Sequence, residues 1–299
     1  MYQQFIDQFI QSENLPERYR EDIQNWYLPL TSELELLRHK LRPAPLFLGI
    51  NGAQGTGKST LAKLLVALLQ TRGLRAINLS IDDFYYSKAE RQRLAQQVHP
   101  LLSSRGVPGT HNMQRAESTV AGLINASAQS RVGLPAFDKA SDDQVQDDQW
   151  LVHVGPCDVI ILEGWFIGAR AQTAAELVEP INALEREQDV DTSWRRYVNA
   201  QLAERYEPLF EQLDWLVMLK APDFAQVYEW RSLQEQKLRN RVGAANKKGM
   251  DDAALKHFIQ HFERLTRHCL ATVPAVADCV FQLDASHSIV SRSGKSNSL

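Results

Sequence analysis

Cysteine is scarce in this chain of 299 residues: Cys157, Cys269 and Cys279 are all it has. They form no CxxC pair and no Cys/His spacing suited to a metal, and an odd, low count fits a reducing compartment better than a disulfide framework. Three buried apolar thiols are expected. Long apolar runs are also missing. No stretch approaches the ~18 apolar residues of a membrane span. Met1-Tyr2-Gln3-Gln4 lacks the charged start and apolar stretch of a signal peptide, which leaves the cytoplasm as the expected location. Neither sign of charge dominates: the formal net charge is -3, with basic and acidic residues interleaved. A nucleic-acid partner, which would call for a basic stripe, is therefore not expected.

What is present fits an ordinary soluble globule, with 44% hydrophobic and 23% charged residues. Residues 1–44 read as a helical extension. Phe5, Phe9 and Ile10 share one helical face and Leu34, Leu37 and Leu41 another, before Pro43 and Pro45 end the region. A main domain follows over 45–285. Leu46-Phe47-Leu48-Gly49-Ile50 is a candidate buried strand. Leu61, Leu64, Leu65, Leu68 and Leu69 then form one helix face that Gly73 stops. Ile77, Leu79 and Ile81 alternate as a second strand. Apolar runs at 159–162, 215–219 and 280–283 complete five strands. Between the last two, one helix is capped by Asp223 and a second carries Leu255, Phe258, Ile259, Phe262 and Leu265. Strands separated by helices predict an α/β fold with a five-stranded parallel sheet flanked by helices. Residues 84–150 read as irregular, and the polar 286–299 as a flexible tail.

The chemistry begins at Gly52-Ala53-Gln54-Gly55-Thr56-Gly57-Lys58-Ser59, a full match to the P-loop pattern, followed by Thr60. It lies between a strand and a helix, as the pattern requires. The glycines let backbone N–H groups curl inward around phosphate, and the helix N-terminus adds its dipole. Lys58 is expected at the β- and γ-phosphates and Ser59 on Mg²⁺, so ATP and Mg²⁺ are the expected cofactors. Glu163 follows the third apolar strand as a Walker-B acid does and is the second expected metal residue.

Asp82 and Asp83 end the second strand, on the side where open α/β sheets bind ligands. One of them can accept the proton of an attacking hydroxyl, while the plainer reading makes Asp83 a turn cap. Arg231, Arg239 and Arg241, with Lys247 and Lys248 beyond, sit on a helix that runs into a Gly-containing flap or lid over 242–250. Arg231 and Arg239 could close over the polyphosphate as charge builds up, although such a row is also what a solvated helix face looks like.

Together these segments resemble the kinase group of uridine kinase, phosphoribulokinase and pantothenate kinase, and more narrowly the D-glycerate 3-kinase family. The matching stretches are residues 49–61, Ser80-Ile81-Asp82-Asp83-Phe84-Tyr85, Arg105-Gly106-Val107-Pro108-Gly109-Thr110-His111, Leu134-Pro135-Ala136-Phe137-Asp138-Lys139 and Ile161-Leu162-Glu163-Gly164-Trp165-Phe166-Ile167-Gly168. Val227-Tyr228-Glu229-Trp230-Arg231 and Lys248-Gly249-Met250 follow in the same order. The resemblance implies a nucleotide-kinase fold with a lid, Asp82 as the base, and a small hydroxylated acceptor, D-glycerate first. One departure is Asn112, where the family usually has Asp after the loop histidine. Tyr85, Arg105, His111 and Lys139 are the expected acceptor contacts. The basic residues Arg105, His111, Lys139 and Arg170 lean toward an anionic acceptor, with Arg105 as the leading carboxylate anchor. A uridine- or pantothenate-type kinase and an ATP-binding regulatory protein are the alternatives.

Overall fold

The computed structural model describes residues 2–242 and 252–295. Three apolar runs become strands buried along their whole length: β1 (Leu46–Gly52), β7 (Val159–Gly164) and, apart from its last residue, β8 (Trp215–Lys220). Such runs fit a parallel sheet covered on both faces. With β2 (Ala76–Ser80), β9 (Cys279–Leu283) and β10 (Ile289–Ser293) they form one sheet in the order β10-β9-β8-β1-β7-β2. Alternate residues face opposite cores. Leu46, Leu48 and Ile50 join Val159, Ile161 and Val217 on one side, and Phe47 joins Ile160, Leu162 and Met218 on the other.

The five expected strands are present and mutually parallel, but the sheet has six. The sixth, β10, lies in the range expected to be a flexible tail and pairs antiparallel with β9. Its only buried side chain is Ile289, so backbone hydrogen bonds and the Arg292–Glu33 ion pair hold it rather than an apolar run. The stretch 84–150 is likewise less irregular than expected. It contains the helices Lys88–Gln97 and Met113–Ile124, one small antiparallel ribbon and the first strand of another. One ribbon joins β3 (Arg131–Leu134) to β6 (Leu151–Val154); the other joins β4 (Phe137–Asp138) to β5 (Asp143–Gln144). Asn112 caps the second helix by accepting from Arg115 N–H at 3.0 Å, a job an Asp could also do.

The N-terminal helices Tyr2–Ser12 and Leu28–Leu41 bury Ile6, Ile10, Leu30 and Leu34 in the same core as the helix Lys58–Thr71. Buried Arg38 pins this region to the foot of β7 through Asp158 at 2.9 Å. Asp223 caps the helix Phe224–Val242, accepting from Gln226 N–H at 2.8 Å. The three cysteines are free and buried, as expected. Among the described residues, no helix is long and apolar enough to cross a membrane.

Candidate active site

The sheet order sets β7 between β1 and β2. The loop after β1, the acid ending β7 and the turn after β2 therefore meet at one sheet edge, outside the carboxyl ends of the strands. The loop and the turn border a cleft of about 380 Å³, and Glu163 adjoins it through Ser59. Gln54, Gly55, Gly57, Lys58, Ser59 and Thr60 line one side of the cleft, and Gly52, Ala53 and Thr56 complete the loop behind them.

The glycines of this loop are structural requirements. Gly57 has φ +89° and caps the helix that starts at Lys58. A Cβ on Gly52 would lie 2.5 Å from Thr56 Oγ1. Thr56 Oγ1 itself donates to Ala53 O at 2.8 Å, which closes the turn. From the far end of the chain, His287 contributes a ring nitrogen 2.9 Å from Gly55 O. Its imidazole is stacked on Trp230 with centroids 4.0 Å apart.

Ser59 Oγ donates to Glu163 Oε1 at 2.8 Å. The other carboxylate oxygen, Glu163 Oε2, is buried with no hydrogen-bond partner among the described residues. A buried anionic oxygen left unmatched beside a serine hydroxyl is a donor set that a hard divalent cation satisfies, so these two residues fit Mg²⁺.

The two adjacent acids point different ways. Asp83 turns from the cleft and accepts from Phe137 N–H at 3.2 Å. Burial, opposed by that hydrogen bond, pushes its carboxyl up to about 6. Asp82 lines the cleft. Its Oδ1 accepts from the Tyr85 hydroxyl at 2.8 Å and its Oδ2 from Lys139 Nζ at 2.7 Å. Burial alone would raise its carboxyl, but Lys139, Lys58 and the Tyr85 hydrogen bond outweigh it and hold it near 2.

Opposite the P-loop, the cleft is lined by Tyr85, Arg105, Lys139, Trp165, Arg231, Phe258 and Phe262. Arg105 is ion-paired with Asp142 and lies over the Phe137 ring, 5.5 Å from its centroid.

His111 departs from expectation. It is buried, does not line the cleft, and burial holds its imidazole down at about 3. Its Nδ1 lies 2.7 Å from the Tyr206 hydroxyl, which itself accepts from Gly109 N–H at 2.9 Å. The phenol proton is thus directed at Nδ1, and the ring is neutral. It serves as a stacking partner for Tyr85, centroids 4.4 Å apart, and supplies no positive charge to an acceptor. Arg170 is also absent from the cleft and pairs with Glu207 and Glu211. The side chain of Arg239, with Arg241, Lys247, Lys248 and nearly all of the flap 242–250, lies outside the described residues.

The aromatic wall was not anticipated as part of the site. Phe258 and Phe262 read as core positions of a helix, and both also border the cleft. Trp165, two residues beyond Glu163, donates its indole N–H to Gly106 O at 3.2 Å. This contact ties the loop at Arg105–His111 to the end of β7.

No family model matches the chain. It is 32% identical over 238 residues to the uncharacterized kinase mug58 of Schizosaccharomyces pombe, covering 77% of this chain and 83% of that protein. It is 26% identical over 264 residues to the chloroplastic D-glycerate 3-kinase of Arabidopsis thaliana, covering 83% of this chain and 54% of the plant protein. The solved D-glycerate 3-kinase of Cryptococcus neoformans var. grubii superposes with a TM-score of 0.72 at 25% identity, over 88% of this chain and 96% of that one. With a P-loop and these relatives, the chain belongs to the family of P-loop kinases that includes D-glycerate 3-kinase.

Proposed function

We propose that the protein transfers the γ-phosphate of Mg·ATP to the terminal hydroxyl of D-glycerate. The observation that carries this reading is the make-up of the cleft: an ionised carboxylate, Asp82, faces Lys58 and the P-loop, with Lys139 and Arg105 on the acceptor side. In this reading the P-loop amides and Lys58 grip the polyphosphate. Ser59 and Glu163 hold Mg²⁺, whose chemistry when bound is to neutralise charge on the phosphate oxygens. Asp82 accepts the proton of the attacking hydroxyl, and Arg231 adds positive charge where it develops. Arg105 and Lys139 grip the carboxylate of the acceptor, which presents the far hydroxyl to the phosphate.

The test is ADP release by purified protein with Mg·ATP and, in parallel, D-glycerate, uridine, pantothenate or no acceptor. Release that depends on D-glycerate is the expected result. The aromatic side chains Trp165, Phe258 and Phe262 are what a nucleoside base would stack on, which makes uridine the sharpest control. Turnover with uridine or pantothenate alone would leave a kinase with another acceptor. Release indifferent to every acceptor would favour a regulatory ATPase.

A further inference from the structure

Both oxygens of the Asp82 carboxylate are engaged, and by groups of different character. Tyr85, on Oδ1, is buried and held by its stack on His111. Lys139, on Oδ2, has a side chain 60% exposed, against 24% for Asp82. The lysine projects from the turn between β4 and β5, whose backbone is anchored at both ends. Asp138 Oδ1 accepts from Ala140 N–H at 2.9 Å. Arg91, 1% exposed, holds Asp142 through its carboxylate at 3.0 Å and its carbonyl at 2.8 Å, and Arg105 pairs with the same carboxylate. The turn is held in place, while the long Lys139 side chain is mostly exposed and is held by the Asp82 carboxylate.

An ammonium seated on a carboxylate oxygen has two effects on a general base. It occupies the lone pair that the attacking hydroxyl needs, and it lowers the proton affinity of the group below the range useful near neutral pH. A carboxylate brought into the cleft on the acceptor would compete with Asp82 for that ammonium.

We propose that Lys139 is a positioning residue that couples the charge of the acceptor to the availability of the base. Without acceptor it covers Asp82 Oδ2; an acceptor carboxylate draws it off and leaves Oδ2 to the hydroxyl. The acceptor O–H bond then breaks with its proton going to Asp82. The acceptor oxygen bonds to the γ-phosphorus, and the bond to the bridging oxygen breaks with its electron pair leaving on ADP. The covered state also keeps Asp82 from activating water, so ATP is not spent before an acceptor arrives. This inference rests on the reading of the acceptor as a hydroxy acid.

The experiment compares wild type, Lys139→Met and Lys139→Arg with Mg·ATP in three mixtures: no acceptor, glycerol, and D-glycerate. Glycerol offers a terminal hydroxyl without the carboxylate. In wild type, D-glycerate is expected to exceed glycerol in kcat as well as in kcat/KM. Lys139→Met is expected to raise acceptor-free ADP release by on the order of tenfold and to shrink the kcat ratio of glycerate to glycerol by a similar factor. Lys139→Arg restores most of the discrimination, because it keeps the charge. If wild type turns over D-glycerate and Lys139→Met raises only its KM, with acceptor-free release unchanged, Lys139 is a simple anchor and the coupling is refuted while the substrate stands. If wild type ignores D-glycerate altogether, the acceptor reading and the coupling fall together.

Discussion

The two walls of the cleft are built in different ways. The proposed phosphate wall comes from one contiguous loop, with Glu163 one strand away behind Ser59, and its contacts are largely backbone geometry: a left-handed Gly57, a crowded Gly52 and a helix N-terminus. The proposed acceptor wall is assembled from distant segments, with Tyr85, Arg105, Lys139, Trp165 and Phe262 brought together by side-chain packing and ion pairs. Backbone geometry tolerates little variation, because every nucleoside triphosphate presents the same phosphates. Side chains on separate loops can be exchanged singly, which suits a wall that selects the acceptor.

Breaking the phosphate wall should cost most. Lys58→Ala removes the ammonium from the polyphosphate, and turnover is expected to fall by about 10³ or more in a steady-state ADP assay. Near-normal activity would detach the P-loop from the chemistry. Asp82→Asn, at the junction of the walls, should lower kcat by on the order of 10² or more with little change in KM for ATP. Asp83→Asn, whose carboxylate faces Phe137 N–H rather than the cleft, should be much milder; the reverse ranking would exchange the roles of the two acids. Glu163→Gln retains shape but removes the charge beside Ser59. The expected outcome is a Mg²⁺ titration displaced to higher concentration and a lower kcat, and an unmoved titration would take Glu163 out of the metal site.

Arg105→Ala sharpens the comparison by separating the walls. KM for the acceptor should rise by on the order of tenfold or more while KM for ATP stays nearly constant. Equal changes in both would mean that Arg105 supports the fold through Asp142 instead. The smallest effect concerns stability. An imidazole free in the unfolded chain titrates near 6.5 and the buried His111 near 3. Between those values the unfolded state binds the proton that the folded state refuses, so stability falls as pH drops through this window. Asp83 opposes this below about 6, since the fold keeps its proton. Lowering the pH from 7 to about 4 should therefore reduce the urea midpoint of wild type more than that of His111→Gln.

Much of this was legible in the sequence because the relevant forces are local. The apolar runs that become β1, β7 and β8 are hydrophobic along their whole length, and the P-loop is a contiguous pattern. What escaped depends on tertiary partners. β10 is polar and is held by pairing to β9 and by Glu33. The helix Lys88–Gln97 has no apolar stripe, and its only buried residue is Arg91. The capping box of Ser87 and Glu90 was its readable mark, a Ser followed three positions later by Glu. His111 counts as a potential cation in any sequence reading, and only burial and the Tyr206 hydroxyl make it neutral. Phe258 and Phe262 carry a helix-face periodicity that serves the core and the cleft at once.

The central claim is that one wall holds Mg·ATP while the other orients a carboxylate so that the far hydroxyl meets the phosphate. The most direct measurement is phosphorus NMR of the product made from D-glycerate and Mg·ATP by the purified protein. The account predicts a single new phosphomonoester on the terminal carbon. A phosphate on the secondary hydroxyl, or no phosphoglycerate from a protein that phosphorylates uridine or pantothenate, would contradict it.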